Sequence, residues 1–300
     1  MRLAQIEHFL AAVEAGSLRA GARRAGISQP AMTKSLRQLE AELHVRLLER
    51  NARGTALTAA GRTFLARASV IRTELRKTQD DLDAFRGGAQ GAVAFGAAPQ
   101  GSMLIVPEAL QQFRRRFPQA RVRVVEGVPT ALLPLVRDET LDFCIGMRPA
   151  HGLDPALRFR PLYKQQLIVA ARRGHPLAGA TSLAQLAGAQ WLMFFPPGSG
   201  AMLEKAFAAA GTPMPQGIVQ CESFATALSI LAKTDCLGLV IPQVLHDSFV
   251  SRALQAIRVK EEIPSPLAGM YVRADAPLTP AAAAMAQAVT AVARRLARER

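Results

Sequence analysis

The sequence predicts an all-α N-terminal head, a long linking helix and a two-lobed α/β module, in that order along 300 residues. Three observations predict it. Apolar residues recur at helical spacing as far as residue 43. A repeat of 3.5 residues runs from Phe64 to Phe85. Beyond Gly91, short apolar strands alternate with amphipathic helices.

In the head, Leu3, Ile6, Phe9, Leu10 and Val13 place one apolar stripe on a helix over 3–14. Gly16 stops it and Ser17 caps a short second helix over 18–25, which Gly26 ends. Ser28 caps a third helix, with Pro30 in the first turn, where a missing N–H costs nothing. Met32, Leu36, Leu39 and Leu43 step by four, three and four, so they share one buried face. Gln29, Pro30, Thr33, Lys34 and Arg37 lie opposite, with no acid before Glu40. Two short helices joined by a tight turn, the second bearing a polar and basic face, read as a helix-turn-helix. Such a helix lays its N-terminal half toward the base edges of the major groove. The candidate DNA contacts are Ser28, Gln29, Pro30, Thr33, Lys34 and Arg37. Lys34 and Arg37 suit guanine or phosphate, and Gln29 suits adenine. Taken alone, the same pattern also fits the solvated face of a core helix.

Residues 48–57 read as a hairpin turning at Gly54, with Arg50 and Arg53 beside the turn. A wing of this kind touches phosphate or the minor groove. Thr58 then caps the long helix. Phe64, Ala68, Ile71, Leu75, Leu82 and Phe85 alternate steps of four and three, with Thr78 filling the gap. That period is a coiled-coil seam and predicts pairing with a second copy of the chain; packing on the same chain is the alternative. Gly87-Gly88 and Gly91 form a hinge. The expected divisions are a DNA-binding domain at 1–58 and a linker helix with hinge at 59–88. An effector module comes next, with its first lobe at 91–162 plus 268–300 and its second at 163–267.

In the first lobe, strands are expected at Val93–Phe95, Val122–Val125 and Leu141–Gly146, with helices at 102–117 and 130–139. The second lobe shows strands at Leu167–Ala171 and Leu237–Ile241, and helices at 182–187, 199–210 and 223–233. A strand at Gly269–Val272 and an Ala-rich helix at 280–299 return to the first lobe. Alternation of this kind means parallel sheets covered by helices, with hinge crossovers near Pro161–Tyr163 and Ile263–Leu267.

Parallel sheets bind ligands beyond the carboxyl ends of their strands, where helix N-termini offer free N–H groups. Four such ends are legible: Pro99-Gln100-Gly101-Ser102, the run from Gly127 to Thr130, the run Pro196-Pro197-Gly198-Ser199-Gly200, and Glu222-Ser223. Ser102, Thr130, Ser199 and Ser223 supply hydroxyls there, each of which also fits an ordinary helix cap. Arg148 follows the third strand and suits a carboxylate or sulfonate. Met103, Phe194 and Phe195 offer apolar walls. The candidate effector residues are Gln100, Gly101, Ser102, Met103, Thr130, Arg148, Phe195, Pro197, Ser199 and Ser223. The chemistry is that of a small organic anion, aromatic ones included.

Composition narrows the function classes. The chain carries 37 Lys and Arg against 23 Asp and Glu, a net charge of +14 that suits a polyanionic partner. No signal peptide is expected at the N-terminus, and no stretch reaches the ~20 apolar residues of a membrane span, which predicts a cytoplasmic protein. Cys144, Cys221 and Cys236 are odd in number and lie in apolar surroundings, so reduced thiols are expected and no metal site. His8, His44, His151, His175 and His246 are scattered, and no nucleophile elbow or phosphate loop appears. No enzyme activity and no cofactor are expected. Two rivals remain: a thiol-based redox regulator using Cys221 and Cys236, and a ligand-binding module without DNA binding.

The motifs converge on one resemblance. Gly-Ser-Leu at 16–18, Ile-Ser-Gln-Pro-Ala at 27–31, Leu39-Glu40 with Leu43, Leu47-Leu48-Glu49-Arg50 and Leu57-Thr58-Ala59-Ala60-Gly61 resemble the DNA-binding domain of the LysR-type transcriptional regulators. Arg173-Gly174-His175-Pro176-Leu177 resembles a second-lobe sequence of the same family. The resemblance implies a winged helix-turn-helix on double-stranded DNA, a dimer through the linker helix and commonly a homotetramer. It also implies an effector domain similar to the type 2 periplasmic binding proteins, which gathers the four helix ends into one ligand cleft between the lobes.

Overall fold

The computed structural model describes residues 1–51, 54–85, 91–149, 152–193 and 202–298. They form two compact units, Met1–Arg86 with Asp138–Thr140, and Gly87–Arg137 with Leu141–Arg300.

The first unit runs α1 (Leu3–Glu14), α2 (Leu18–Arg24), α3 (Gln29–Leu43), a hairpin of β1 (Leu48–Asn51) and β2 (Gly54–Leu57), then α4 (Ala59–Phe85). Ser17 and Ser28 cap α2 and α3 by accepting the N–H groups of Ala20 and Ala31. Gly26 follows α2 at φ +66°, a conformation open to glycine and strained for most other residues. Gly21 lets α2 lie against α1: a Cβ there would stand 2.6 Å from the Cα of Ala12. Phe9, Leu10, Met32 and Leu39 are fully buried at the centre. Leu36 is buried beside them, whereas Leu43 at the end of the stripe is only partly covered.

Helix α4 corrects part of the expected seam. Phe64 meets Phe9 edge-on, with ring centroids 5.0 Å apart, and Ala68 is buried in the head's own core. The start of the repeat is therefore consumed within the chain. Further along, Ile71 and Leu82 stay 39% and 56% exposed. The Gly87-Gly88 hinge lies outside the described residues.

The second unit holds two five-stranded sheets. Its first stretch is β3 (Ala92–Ala97), α5 (Pro99–Leu104), α6 (Val106–Arg116), β4 (Arg121–Glu126), α7 (Pro129–Arg137), β5 (Phe143–Met147) and β6 (Leu157–Lys164). The second sheet's elements are β7 (Ile168–Arg172), α8 (Leu183–Leu186), β8 (Gln190–Met193), α9 (Met202–Ala209), β9 (Ile218–Gln220), α10 (Phe224–Lys233), β10 (Cys236–Val240), α11 (Pro242–His246) and β11 (Leu254–Ile257). The chain then returns through β12 (Leu267–Arg273) and α12 (Pro280–Leu296). The strand orders are β4-β3-β5-β12-β6 in lobe I and β11-β7-β10-β8-β9 in lobe II.

Both sheets are mixed rather than parallel throughout. β3 pairs parallel with β4 and β5, while β12 runs antiparallel to β5 and β6. In lobe II, β8 pairs parallel with β9 and β10, and β7 runs antiparallel to β10 and β11. Strand β6 carries the chain past the expected hinge at Pro161–Tyr163. Pro161 is tolerated because β6 is an edge strand and its register shifts opposite Ala268 and Gly269. The crossing therefore starts at Gln165, whose N–H donates to the carbonyl of Pro266 on the returning segment at 2.8 Å.

The expected helix over 102–117 is two helices. α5 starts at Pro99, and the chain bends at Ile105, which ends α5 and caps α6. Pro107 lacks the N–H that an uninterrupted helix needs at that position, and it disfavours helical geometry before it. α6 and α12 share one face of the lobe I sheet, with Phe113, Met285, Val289 and Val292 in the common core. α7 covers the other face, where Leu132, Val136 and Tyr271 are buried.

Candidate nucleic-acid interface and effector site

Charge by itself does not locate the DNA-binding surface. Residues 1–86 carry 15 Lys and Arg against 9 Asp and Glu, and the remainder carries 22 against 14. The surplus is spread over both units. The face of α3 is more informative. Ser28, Gln29, Pro30, Lys34 and Arg37 are exposed and Thr33 is half-buried, while Met32, Leu36 and Leu39 on the reverse side are buried. Neither Lys34 nor Arg37 is drawn into an ion pair among the described residues. Both cations thus stand free, Lys34 in the helix's N-terminal half and Arg37 just past its middle, on the face that a groove-reading helix turns to DNA.

The wing is held to this helix by Glu40. One carboxylate oxygen, Oε1, accepts the backbone N–H groups of Leu47 at 2.8 Å and Leu48 at 3.0 Å. Thr58 works from the other strand: its hydroxyl donates to the carbonyl of Arg46 at 2.7 Å and accepts the N–H of Gly61 at 2.9 Å. Glu40 stood in the sequence next to Leu39, but its partners lie across a turn that composition does not show. Arg50 lies on β1 opposite Thr55. Arg53 lies outside the described residues. Glu14 at the end of α1 pairs with Arg24 at 2.8 Å and with Arg72 of α4 at 2.6 Å, which ties both helices to it.

In each lobe three parallel strands end at one edge. In lobe I the N–H of Ala98 donates to Ile145, and that of Gly127 to Ala97, so the segments after β3, β4 and β5 gather there. In lobe II the N–H of Cys221 donates to Met193, joining the ends of β8 and β9, and β10 ends alongside. The two edges meet directly. The side-chain oxygen of Gln100 on α5 accepts the N–H of Ile241, the residue after β10, at 2.7 Å.

The structure distributes the candidate effector residues unevenly. Gln100 and Gly101 lie in the first turn of α5 at the edge of lobe I. Ser102 is not a cap: α5 starts earlier, its cap residue is Ala98, and the Ser102 N–H already donates to the Ala98 carbonyl at 2.8 Å. Met103 packs against the core of lobe II instead of standing open as a wall. Thr130 is exposed on the first turn of α7, whose opening carbonyl is that of Val128, so it is not the cap residue either. Arg148 is exposed just beyond β5, with its guanidinium 5.8 Å from the ring centre of Phe159. Ser223 does cap α10, accepting the N–H of Thr226 at 3.3 Å. Phe194, Phe195, Pro197 and Ser199 lie outside the described residues.

The cysteines do not form a pair. Cys221 is half-buried and donates to the carbonyl of Ser223 at 3.3 Å, whereas Cys236 is buried and donates to the side-chain oxygen of Gln190. Burial pushes the Cys144 thiol up to about 12. Among the described residues no group of His, Cys, Asp or Glu is arranged to hold a metal ion, and no helix is long and apolar enough to cross a membrane.

Known proteins match this arrangement along nearly the whole chain. The model of the bacterial regulatory helix-turn-helix protein, lysR family, matches residues 3–62, and that of the LysR substrate binding domain matches residues 86–294. The transcriptional regulator GalR of Pseudomonas putida is 30% identical over 94% of this chain and 71% of its own length. The SDS degradation transcriptional activation protein of a Pseudomonas species is 29% identical over 94% of each chain. Among solved structures, full-length CbnR complexed with its target DNA superposes with a TM-score of 0.72 at 23% identity, covering 97% of this chain and 100% of that one. These relatives are regulators, not enzymes, and the chain belongs to the LysR family of DNA-binding transcription regulators, with a helix-turn-helix head and an effector-binding module.

Proposed function

We propose that this regulator reads a promoter through α3 and senses a small organic anion, of aliphatic or aromatic class, where the carboxyl edges of its two lobes meet. The observation that carries the sensing reading is the Gln100–Ile241 hydrogen bond, which joins the two edges and places α5, the ends of β3 and β5, and α11 around one locus. Thr130, Arg148 and Ser223 stand at these same edges and supply a hydroxyl, a cation and a capped helix N-terminus. Arg148 suits a carboxylate or sulfonate as a charge-assisted partner. Calorimetry with matched aromatic and aliphatic carboxylates and sulfonates tests the reading. Wild type is expected to bind one class, and Arg148→Ala to lose at least ten-fold in affinity. Equal affinity in the two proteins removes Arg148 from the site.

On DNA, Ser28, Gln29, Pro30, Thr33, Lys34 and Arg37 enter the major groove, with Arg50 and Arg53 of the wing on the flanking backbone. Arg37→Ala should weaken binding to the chain's own promoter by about 1–3 kcal/mol while leaving binding to random duplex nearly unchanged, as read by gel shift at fixed salt. A normal shift for Arg37→Ala would sink the groove assignment. The exposed stretch of α4 pairs two copies, and pairs of dimers assemble on DNA as tetramers. A chromosomal partner puts the protein in the cytoplasm.

A further inference from the structure

Helix α5 belongs to lobe I by its place in the chain, yet Met103 and Leu104 pack against the core of lobe II. Its first turn also carries Gln100, whose Oε1 accepts the N–H of Ile241 at 2.7 Å across 141 residues of sequence. Ile241 is buried, and a buried backbone N–H left without an acceptor bears its full desolvation penalty. Lobe II therefore depends on a lobe I side chain to satisfy its own backbone. A second amide reaches the other way: Nε2 of Gln243 on α11 donates to the carbonyl of Leu296 at the end of α12, at 3.2 Å. Between these bonds lies a cavity of about 70 Å³ bordered by Leu104, Tyr163, Gln165, Ile241, Gln243 and Leu296. Void space at a seam forfeits dispersion contacts, so directed hydrogen bonds carry more of the adhesion there.

We infer that Gln100 is a positioning residue that sets the resting arrangement of the two lobes through Ile241 and couples that arrangement to the DNA-bound form. The donor is a backbone N–H, so the carboxamide must turn its oxygen toward Ile241. Any change in the angle between the lobes that separates α5 from α11 breaks this bond and leaves the Ile241 N–H to water. The inference rests on the reading that the lobes move in sensing, but it needs no ligand to be tested.

Hydrogen exchange on the full-length protein, without effector, separates the possibilities. Gln100→Leu removes the acceptor and is expected to speed exchange at the Ile241 amide at least ten-fold, with exchange in β3 and β8 unchanged. Gln100→Glu keeps an oxygen in place and is expected to exchange as wild type does. Gln100→Ala serves if the leucine variant does not fold. On promoter DNA, the variant with fast exchange is expected to give a footprint of altered length, and Gln100→Glu the wild-type footprint. Unchanged exchange in both Gln100→Leu and Gln100→Ala overturns the bond. Fast exchange in Gln100→Glu reduces it to packing, and an unaltered footprint in the fast-exchanging variant overturns the coupling. Failure of every organic acid to bind wild type would defeat the proposed effector class and leave these outcomes intact.

Discussion

Glu40 ties helix α3 to the root of the hairpin through a single carboxylate oxygen. Replacing it with alanine leaves two N–H groups at the root of the wing without their acceptor. The expected cost is about 1–3 kcal/mol, visible as a lower first transition in calorimetry and as weaker DNA binding. A variant with wild-type melting would show that water replaces the carboxylate there. Cys144 supplies a second test at this scale. Its thiol titrates near 12, against about 9 for a free thiol, because burial disfavours the thiolate. From pH 9 to 12 the folded chain holds a proton that the unfolded chain has lost. Stability is therefore full below pH 9 and falls by about 1.4 kcal/mol per pH unit for this group through that window. Tyr271, also raised by burial, adds a loss in the same direction at higher pH. Denaturant midpoints that stay flat from pH 9 to 11 would contradict the Cys144 contribution.

Among the elements, the apolar stripe of α4 divides between the head's own core and the surface. Phe64 and Ala68 lock its first turns onto α1, and Glu14 adds an ion pair to Arg72 on the same helix. Beyond Ala68 the stripe leaves apolar side chains open to water, at Ile71 and Leu82. Leu82→Asp should lower the association state seen by sedimentation without altering the melting of the head, whereas Phe64→Ala, at a partly covered ring, should cost up to about 3 kcal/mol of head stability. If Leu82→Asp sediments as wild type does, the pairing surface lies elsewhere. Element by element, the sequence is most legible where burial is periodic. The stripe of Met32, Leu36 and Leu39 announces both the core face of α3 and its exposed polar face, because each turn of a helix repeats the choice between core and water. Strands β8, β9 and β11 are not legible because four residues or fewer show no period and, unlike β1 and β2, no hairpin turn joins them to a neighbour. Strand β6 is hidden because Pro161 and the exposed Arg158 and Arg160 disguise an edge strand as a loop.

Across the whole molecule, the proposed function requires that a small-molecule event in the module changes how two heads sit on DNA. Linkage supplies the rule: a ligand shifts an equilibrium only by its difference in affinity for the two arrangements. Saturating effector is accordingly expected to change footprint length or DNA bend more than bare affinity, and footprints identical with and without effector would reject this mechanism. Arg148 is exposed at the lobe I edge and Gln100 is bonded across to lobe II, so the proposed site would divide its tasks between them. On the proposed reading Arg148 would offer charge to a ligand, and Gln100 would register where the opposite lobe stands.

Residues 1–61 by themselves determined the head, its caps and its basic face, and the alternation beyond Gly91 determined a two-lobed α/β module. These are properties of neighbours within a few turns of chain, set by backbone sterics, capping and the partition of side chains between water and core. Tertiary structure alone decided that β12 and β6 run against their neighbours, that Ser102 lies inside a helix rather than at its cap, and that Met103 faces a core. It also decided that Ile241 finds its acceptor 141 residues away. A buried polar group must be satisfied, but which partner satisfies it depends on where distant segments come to rest, and no local pattern carries that information.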